Sequence, residues 1–93
     1  MIIGRMHCRL AIDGSHSLKD KKRTLTSLLA RARNTFNVAV AEVDDLEMWN
    51  RAGIGVACVS NDSGHAHSIL EKVARMFDSC PEVTLESYEI EIA

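Results

Sequence analysis

The sequence predicts a two-layer α+β sandwich, and three observations carry that reading. Residues 1–12 and 82–92 alternate between apolar and polar side chains, the period of a half-buried strand. Residues 18–32 and 66–77 place apolar side chains at helical spacing along a single stripe each. The stretches between these segments are short and rich in turn-forming residues, with no linker, low-complexity tract or short-period repeat. The 93 residues, 46% of them apolar and 26% charged, suit one globular domain, 1–93.

The elements follow in order. In the first strand Ile2, Met6, Cys8, Leu10 and Ile12 share one phase, and Arg5, His7 and Arg9 the other. Asp13-Gly14-Ser15 is turn chemistry, after which Ser17 reads as a helix N-cap with Asp20 in a capping-box relation. Leu18, Leu25, Leu28, Leu29 and Ala32 form the apolar stripe of this helix, which should end near Asn34, with Lys21, Lys22, Arg23 and Arg31 mainly away from the stripe. A second strand should run from Phe36 to Val43, and an acidic connection, Asp44 to Trp49, leads to a third from Ala52 to Ser60. There Ile54, Val56 and Cys58 face one way, and Gly53, Gly55 and Ala57 the other. Asn61-Asp62-Ser63 supplies a second cap, and Ala66, Ile69, Leu70, Val73, Met76 and Phe77 mark the second helix. In the last strand the apolar phase slips between Leu85 and Tyr88, which one bulged residue near Ser87 explains. The order β-α-β-β-α-β packs most economically as an antiparallel sheet with both helices on one face, the ferredoxin-like arrangement. Right-handed crossovers put the first and third strands in the centre.

Charge is strongly polarised along the chain. From Ser15 to Arg33 there are six Lys or Arg and one acid, whereas the remainder is acid-rich, and the net charge is −2. No apolar run approaches the roughly 20 residues of a membrane-spanning helix, and Arg5 interrupts the amino terminus too early for a secretory signal. A cytoplasmic location is the expectation, and no membrane partner is expected. Cys8, Cys58 and Cys80 are widely spaced with no C-x-x-C pair, so small buried hydrophobes are the expectation.

One family shares the combination of Met1-Ile2-Ile3-Gly4, His16-Ser17-Leu18-Lys19 with Lys22-Arg23, Phe36-Asn37-Val38, Ala41-Glu42-Val43-Asp44, Trp49-Asn50-Arg51-Ala52 and Val59-Ser60-Asn61-Asp62. Essentially end to end, the chain resembles the YlxP-like bacterial proteins, domain-of-unknown-function family 503. The resemblance implies a ferredoxin-like fold in a small cytoplasmic protein. Its members are often encoded beside genes for a ribosome-binding factor and for translation initiation factors, which implies work in ribosome assembly or translation. It implies no catalytic residue and no cofactor.

Five constellations are candidates for function. Ser15, His16, Ser17, Lys19, Lys22, Arg23 and Arg31, at the start and along the first helix, are suited to gripping RNA phosphates or a small anion, or else form a solvated face. The outer sheet face should pair Arg5, His7 and Arg9 with Glu86, Glu89 and Glu91, and it lacks the aromatics of a base-stacking sheet. Gly53, Gly55 and Ala57 would let a second copy of the sheet approach. Met48 and Trp49 either fold back as a lid on the core or stand out as a partner anchor. Ser60 to Ser63 is capping chemistry that could also hold an anion. The histidines show no ligand spacing for a metal, and no nucleophile elbow, P-loop or dinucleotide fingerprint occurs.

The reading that follows is a non-enzymatic binding module that contacts ribosomal RNA or a ribosomal particle through its basic first helix. The alternatives are a homodimerising or protein-interaction module using the open sheet face, and a small-anion-binding regulatory domain.

Overall fold

A computed structural model describes residues 1–93. The chain runs β1 (Ile2–Ile12), α1 (Leu18–Thr35), β2 (Ala39–Asp44), β3 (Arg51–Ser60), α2 (Ser63–Asp78) and β4 (Val83–Ile92). The sheet is antiparallel in the order β2-β3-β1-β4, with the first and third strands central as the crossover rule requires. Both helices cover one face, α1 beside β2 and α2 across β1, β3 and β4. No helix is long and apolar enough to cross a membrane.

The core lies between sheet and helices. Met6, Cys8, Leu10 and Ile12 of β1 and Ile54, Val56 and Cys58 of β3 meet Leu25, Leu28 and Leu29 of α1 and Leu70, Val73 and Phe77 of α2. The three cysteines are free and buried. Burial pushes the Cys8 thiol up to about 12, and burial followed by a hydrogen bond to Glu82 raises that of Cys80.

Helix starts follow the sequence chemistry. The Ser17 hydroxyl accepts from Asp20 N–H at 3.1 Å, and Asp62 accepts from His65 N–H at 2.7 Å. The return bond of the first cap differs by one residue from a capping box, because Asp20 Oδ2 accepts from His16 N–H at 3.1 Å rather than from Ser17. The bulge in β4 is present: Arg9 faces Ser87 and Leu10 faces Leu85, leaving Glu86 as the extra residue.

Three expectations need correction. The second strand begins at Ala39 rather than Phe36, since Phe36 is the extended C-cap of α1. Leu18 is exposed as the first residue of α1, whose buried side begins one turn later at Lys21. Lys21, assigned by spacing to the solvent side, is 2% exposed and lies on the stripe that Leu18 was expected to begin.

Leu28 and Leu70, one on each helix, are fully enclosed. Leu28→Ala and Leu70→Ala should each cost roughly 2–5 kcal/mol, measured by denaturant titration.

Candidate functional site

The Lys21 ammonium organises the end of the molecule where the basic helix begins. It donates to Glu42 Oε2 at 2.8 Å and to the carbonyl oxygens of Asp45 at 2.9 Å and Arg51 at 3.1 Å, with Leu46 O at 3.4 Å. These carbonyls belong to the β2–β3 connection and, at Arg51, to the first residue of β3; the connection turns sharply enough to hold Asp45 at φ 60°. A buried ammonium is tolerated only with a counter-charge and filled donors. Here the carboxylate supplies the first and the loop backbone the second, and no buried side-chain polar atom in the structure lacks a partner. Residue spacing could not have found this role, because the acceptors are main-chain atoms 24 to 30 residues away.

Ser15 closes the same connection from the other side. Its side chain is buried, and Oγ lies 2.6 Å from Trp49 O and 3.1 Å from Ser17 O. Ser15 and Ser17 were candidate anion ligands, but their hydroxyls are engaged in loop closure and capping. Trp49 is not a lid on the core. Its side chain is 46% exposed, with its ring 6.2 Å from that of His16 at an interplanar angle of 31°.

The exposed cations lie on the outer surface of α1. Lys19, Lys22, Arg23, Arg31 and Arg33 all face solvent, against the single acid Asp20, whose carboxylate is occupied by the His16 N–H and lies 4.0 Å from Arg23. Successive positions turn by about 100°, which aligns Lys19, Lys22, Arg23 and Arg33 along one broad side and sets Arg31 apart. Arg31 and Arg23 line a recess of about 280 Å³ with Thr24, Ser27 and Glu82. At the first helix start the Ser17 hydroxyl takes the Asp20 N–H, and at the second the Asp62 carboxylate takes the His65 N–H.

The outer sheet face divides lengthwise. Toward β1 and β4 it is charged: Arg5 pairs with Glu91 at 3.2 Å, and His7 lies across from Glu89 in register. Glu86 reaches Arg51, not the first strand. His7 bonds Asp44 of β2 at 2.5 Å, spanning the intervening β3. That reach depends on glycine. Val43 is the extra residue of a bulge, and a Cβ on Gly53 would stand 2.5 Å from Asp44 Cβ, while one on Gly55 would stand 3.1 Å from Val43 Cγ1. The glycines thus admit side chains of their own sheet, and Gly53 is buried beneath them. Toward β2 the face is apolar, with Ala39, Ala41, Val43, Gly55 and Ala57 lining a groove of about 600 Å³ that Arg5, His7, Glu89 and Glu91 complete. Met48 and Trp49 are not part of this groove; they belong to the β2–β3 connection.

No three His, Cys, Asp or Glu side chains converge as a metal site would require. Tyr88 donates to Glu71 at 2.8 Å, a bond that raises its phenol above the usual range.

Comparison with known proteins was consistent in sequence and in fold. A family model described as a protein of unknown function, DUF503, matches residues 3–90. The uncharacterized protein YlxP of Bacillus subtilis is 34% identical over 82 residues, covering 88% of this chain and 89% of that protein. An amidase of the hydantoinase/carbamoylase family from Burkholderia phymatum matches in structure with a TM-score of 0.56 at 9% identity. The match covers this whole chain but 28% of the amidase, and it concerns fold alone. A de novo designed protein with a ferredoxin fold matches with a TM-score of 0.48 at 12% identity, over all of this chain and 84% of the design.

Removing the hub should loosen the β2–β3 connection. Lys21→Met leaves the Glu42 carboxylate and three carbonyls without their donor, for an expected loss of about 3 kcal/mol. Adding Glu42→Gln should restore only part of it, because the carbonyls remain unpaired; denaturant titration of both variants checks this.

Proposed function

The chain belongs to the DUF503 family, and from that premise we propose that it is a non-enzymatic binding module that contacts RNA, in the setting of a ribosomal particle, through the exposed face of α1. The observation that carries the proposal is the excess of exposed cations on α1: Lys19, Lys22, Arg23 and Arg33 share one side of a helix that holds a single acid, Asp20, which takes the His16 N–H and lies 4.0 Å from Arg23. Such a row of cations gains by replacing counterions along a phosphate backbone. The withdrawal of Lys21 into the interior sharpens the row, since the remaining side chains are free to reach outward. The net charge of −2 weakens diffuse attraction to nucleic acid and favours a local grip on a structured site. A ribosomal setting is the one implied by the family's gene neighbours.

Self-association across the open sheet face is the second reading. It is favoured by the groove of about 600 Å³ and by the neighbouring Ile3 and Val59, which pair in register and stand exposed, Val59 at 64%. Apolar surface of this kind is suited to burial against a second copy.

Each phosphate contact contributes about one unit to the slope of log affinity against log salt. The Lys19/Lys22/Arg23→Ala triple variant should bind ribosomal subunits or structured RNA more weakly than the unaltered chain. Its slope should flatten by up to about three units, while its circular dichroism is unchanged. Salt-insensitive binding, or equal binding by the variant, would remove the proposal. Sedimentation at high micromolar concentration tests the second reading: a dimer mass that persists at high salt is its expected outcome, and a monomer mass ends it.

A further inference from the structure

The aromatic surface beside the basic helix says what kind of RNA element the module would take. The chain has four aromatic residues of the Phe, Trp and Tyr type. Phe77 is buried, Phe36 packs on the core, and Tyr88 is tied to Glu71 on the opposite side of the helix layer from α1. Trp49 alone presents an aromatic surface at the amino end of the basic helix, half exposed and beside the tilted ring of His16.

Its support is rigid. Ser15, 5% exposed, holds the Trp49 carbonyl, and Lys21 holds carbonyls before and after it, at Leu46 and Arg51. Ordering this loop on binding therefore costs little, because folding has already ordered it. A short set of contacts leads from the ring to the first turns of the helix. His16 stacks near Trp49 and donates its backbone N–H to Asp20; Arg23 approaches Asp20 at 4.0 Å; Lys19 lies three residues beyond His16.

We infer that Trp49, backed by His16, is a stacking platform for one unpaired base of an RNA loop or bulge, with the flanking phosphates on Lys19 and Arg23. The inference rests on the RNA-binding reading of α1 and adds its target class. A π-face accepts any base, and an adjacent cation meets the phosphate on either side of it. A fully paired duplex offers the cations the same phosphates but keeps its bases stacked inside. The platform thus discriminates loop from helix, which charge alone does not do.

The test compares a fluorescein-labelled RNA hairpin carrying an unpaired loop with a fully paired duplex of equal charge, by anisotropy, while the emission of the single tryptophan is followed. The unaltered chain should prefer the hairpin by roughly 5- to 100-fold, the range that stacking of one base on an aromatic ring supplies, and its tryptophan emission should be quenched by the hairpin alone. Trp49→Leu should lose that preference and bind both RNAs as the unaltered chain binds duplex, with the salt slope unchanged. Trp49→Phe should recover part of the preference, which separates stacking from loop collapse. Equal, salt-sensitive binding of both RNAs with unchanged emission would overturn the platform and leave the basic-helix reading standing. Absence of binding to either RNA would overturn both. A blue shift of the emission on concentrating the protein without RNA would instead assign Trp49 to a contact between copies and overturn the platform.

Discussion

A single buried ammonium ties one end of this molecule together. Lys21 sits among the leucines of α1, yet it serves the β2–β3 connection, whose carbonyls at Asp45, Leu46 and Arg51 would otherwise turn inward without donors. A leucine at this position would fill the space and leave those groups unpaired. Glu42, on the inward phase of β2, balances the charge at 2.8 Å. The arrangement is a constraint more than a source of stability, because the attraction of a buried pair is largely offset by desolvation. What it secures is position: the start of the basic helix, the end of β2 and the Trp49 loop are held as one unit.

The opposite face is shaped by missing side chains. Gly53 and Gly55 let Val43 and Asp44 lie across β3, so that Asp44 meets His7 on the next strand. The bulge at Val43 makes this geometry available, since it turns two consecutive side chains toward one face. The outcome is a sheet surface with a charged half and an apolar half. Arg5 and Glu91 are both well exposed, so their pair adds little stability. The shape of the groove, rather than the strength of its ion pairs, is what the strands contribute.

The two surfaces have different physical characters. The helix side offers a row of cations and, at its amino end, one exposed aromatic ring on a loop held by Lys21 and Ser15. The sheet side offers a shallow, partly apolar groove with balanced charges, suited to protein. The two surfaces lie on opposite layers of one domain of 93 residues, α1 in the helix layer and the groove on the uncovered face of the sheet.

The sequence by itself determined the element order, the helix caps at Ser17 and Asp62, the bulge in the last strand and the central place of the first and third strands. Each rests on local periodicity, capping chemistry or chain handedness, which act over a few residues or on every chain alike. The cations Lys19, Lys22 and Arg23, candidates from the sequence, are exposed, because no other element is packed over their side of the helix. Tertiary structure decided the rest. Lys21 reads as surface charge until the distant carbonyls that neutralise it are brought over the helix. Ser15 reads as an anion ligand until the Trp49 carbonyl arrives to take its hydroxyl. Gly53 and Gly55 read as space for a partner until β2 fills it. In each case the deciding group lies at least nine residues away, on another element or loop, and for Lys21 and Ser15 a hydrogen bond to a main-chain atom leaves no trace in residue type. Spacing along one element therefore carries the fold, whereas the site depends on which backbone the fold lays against it.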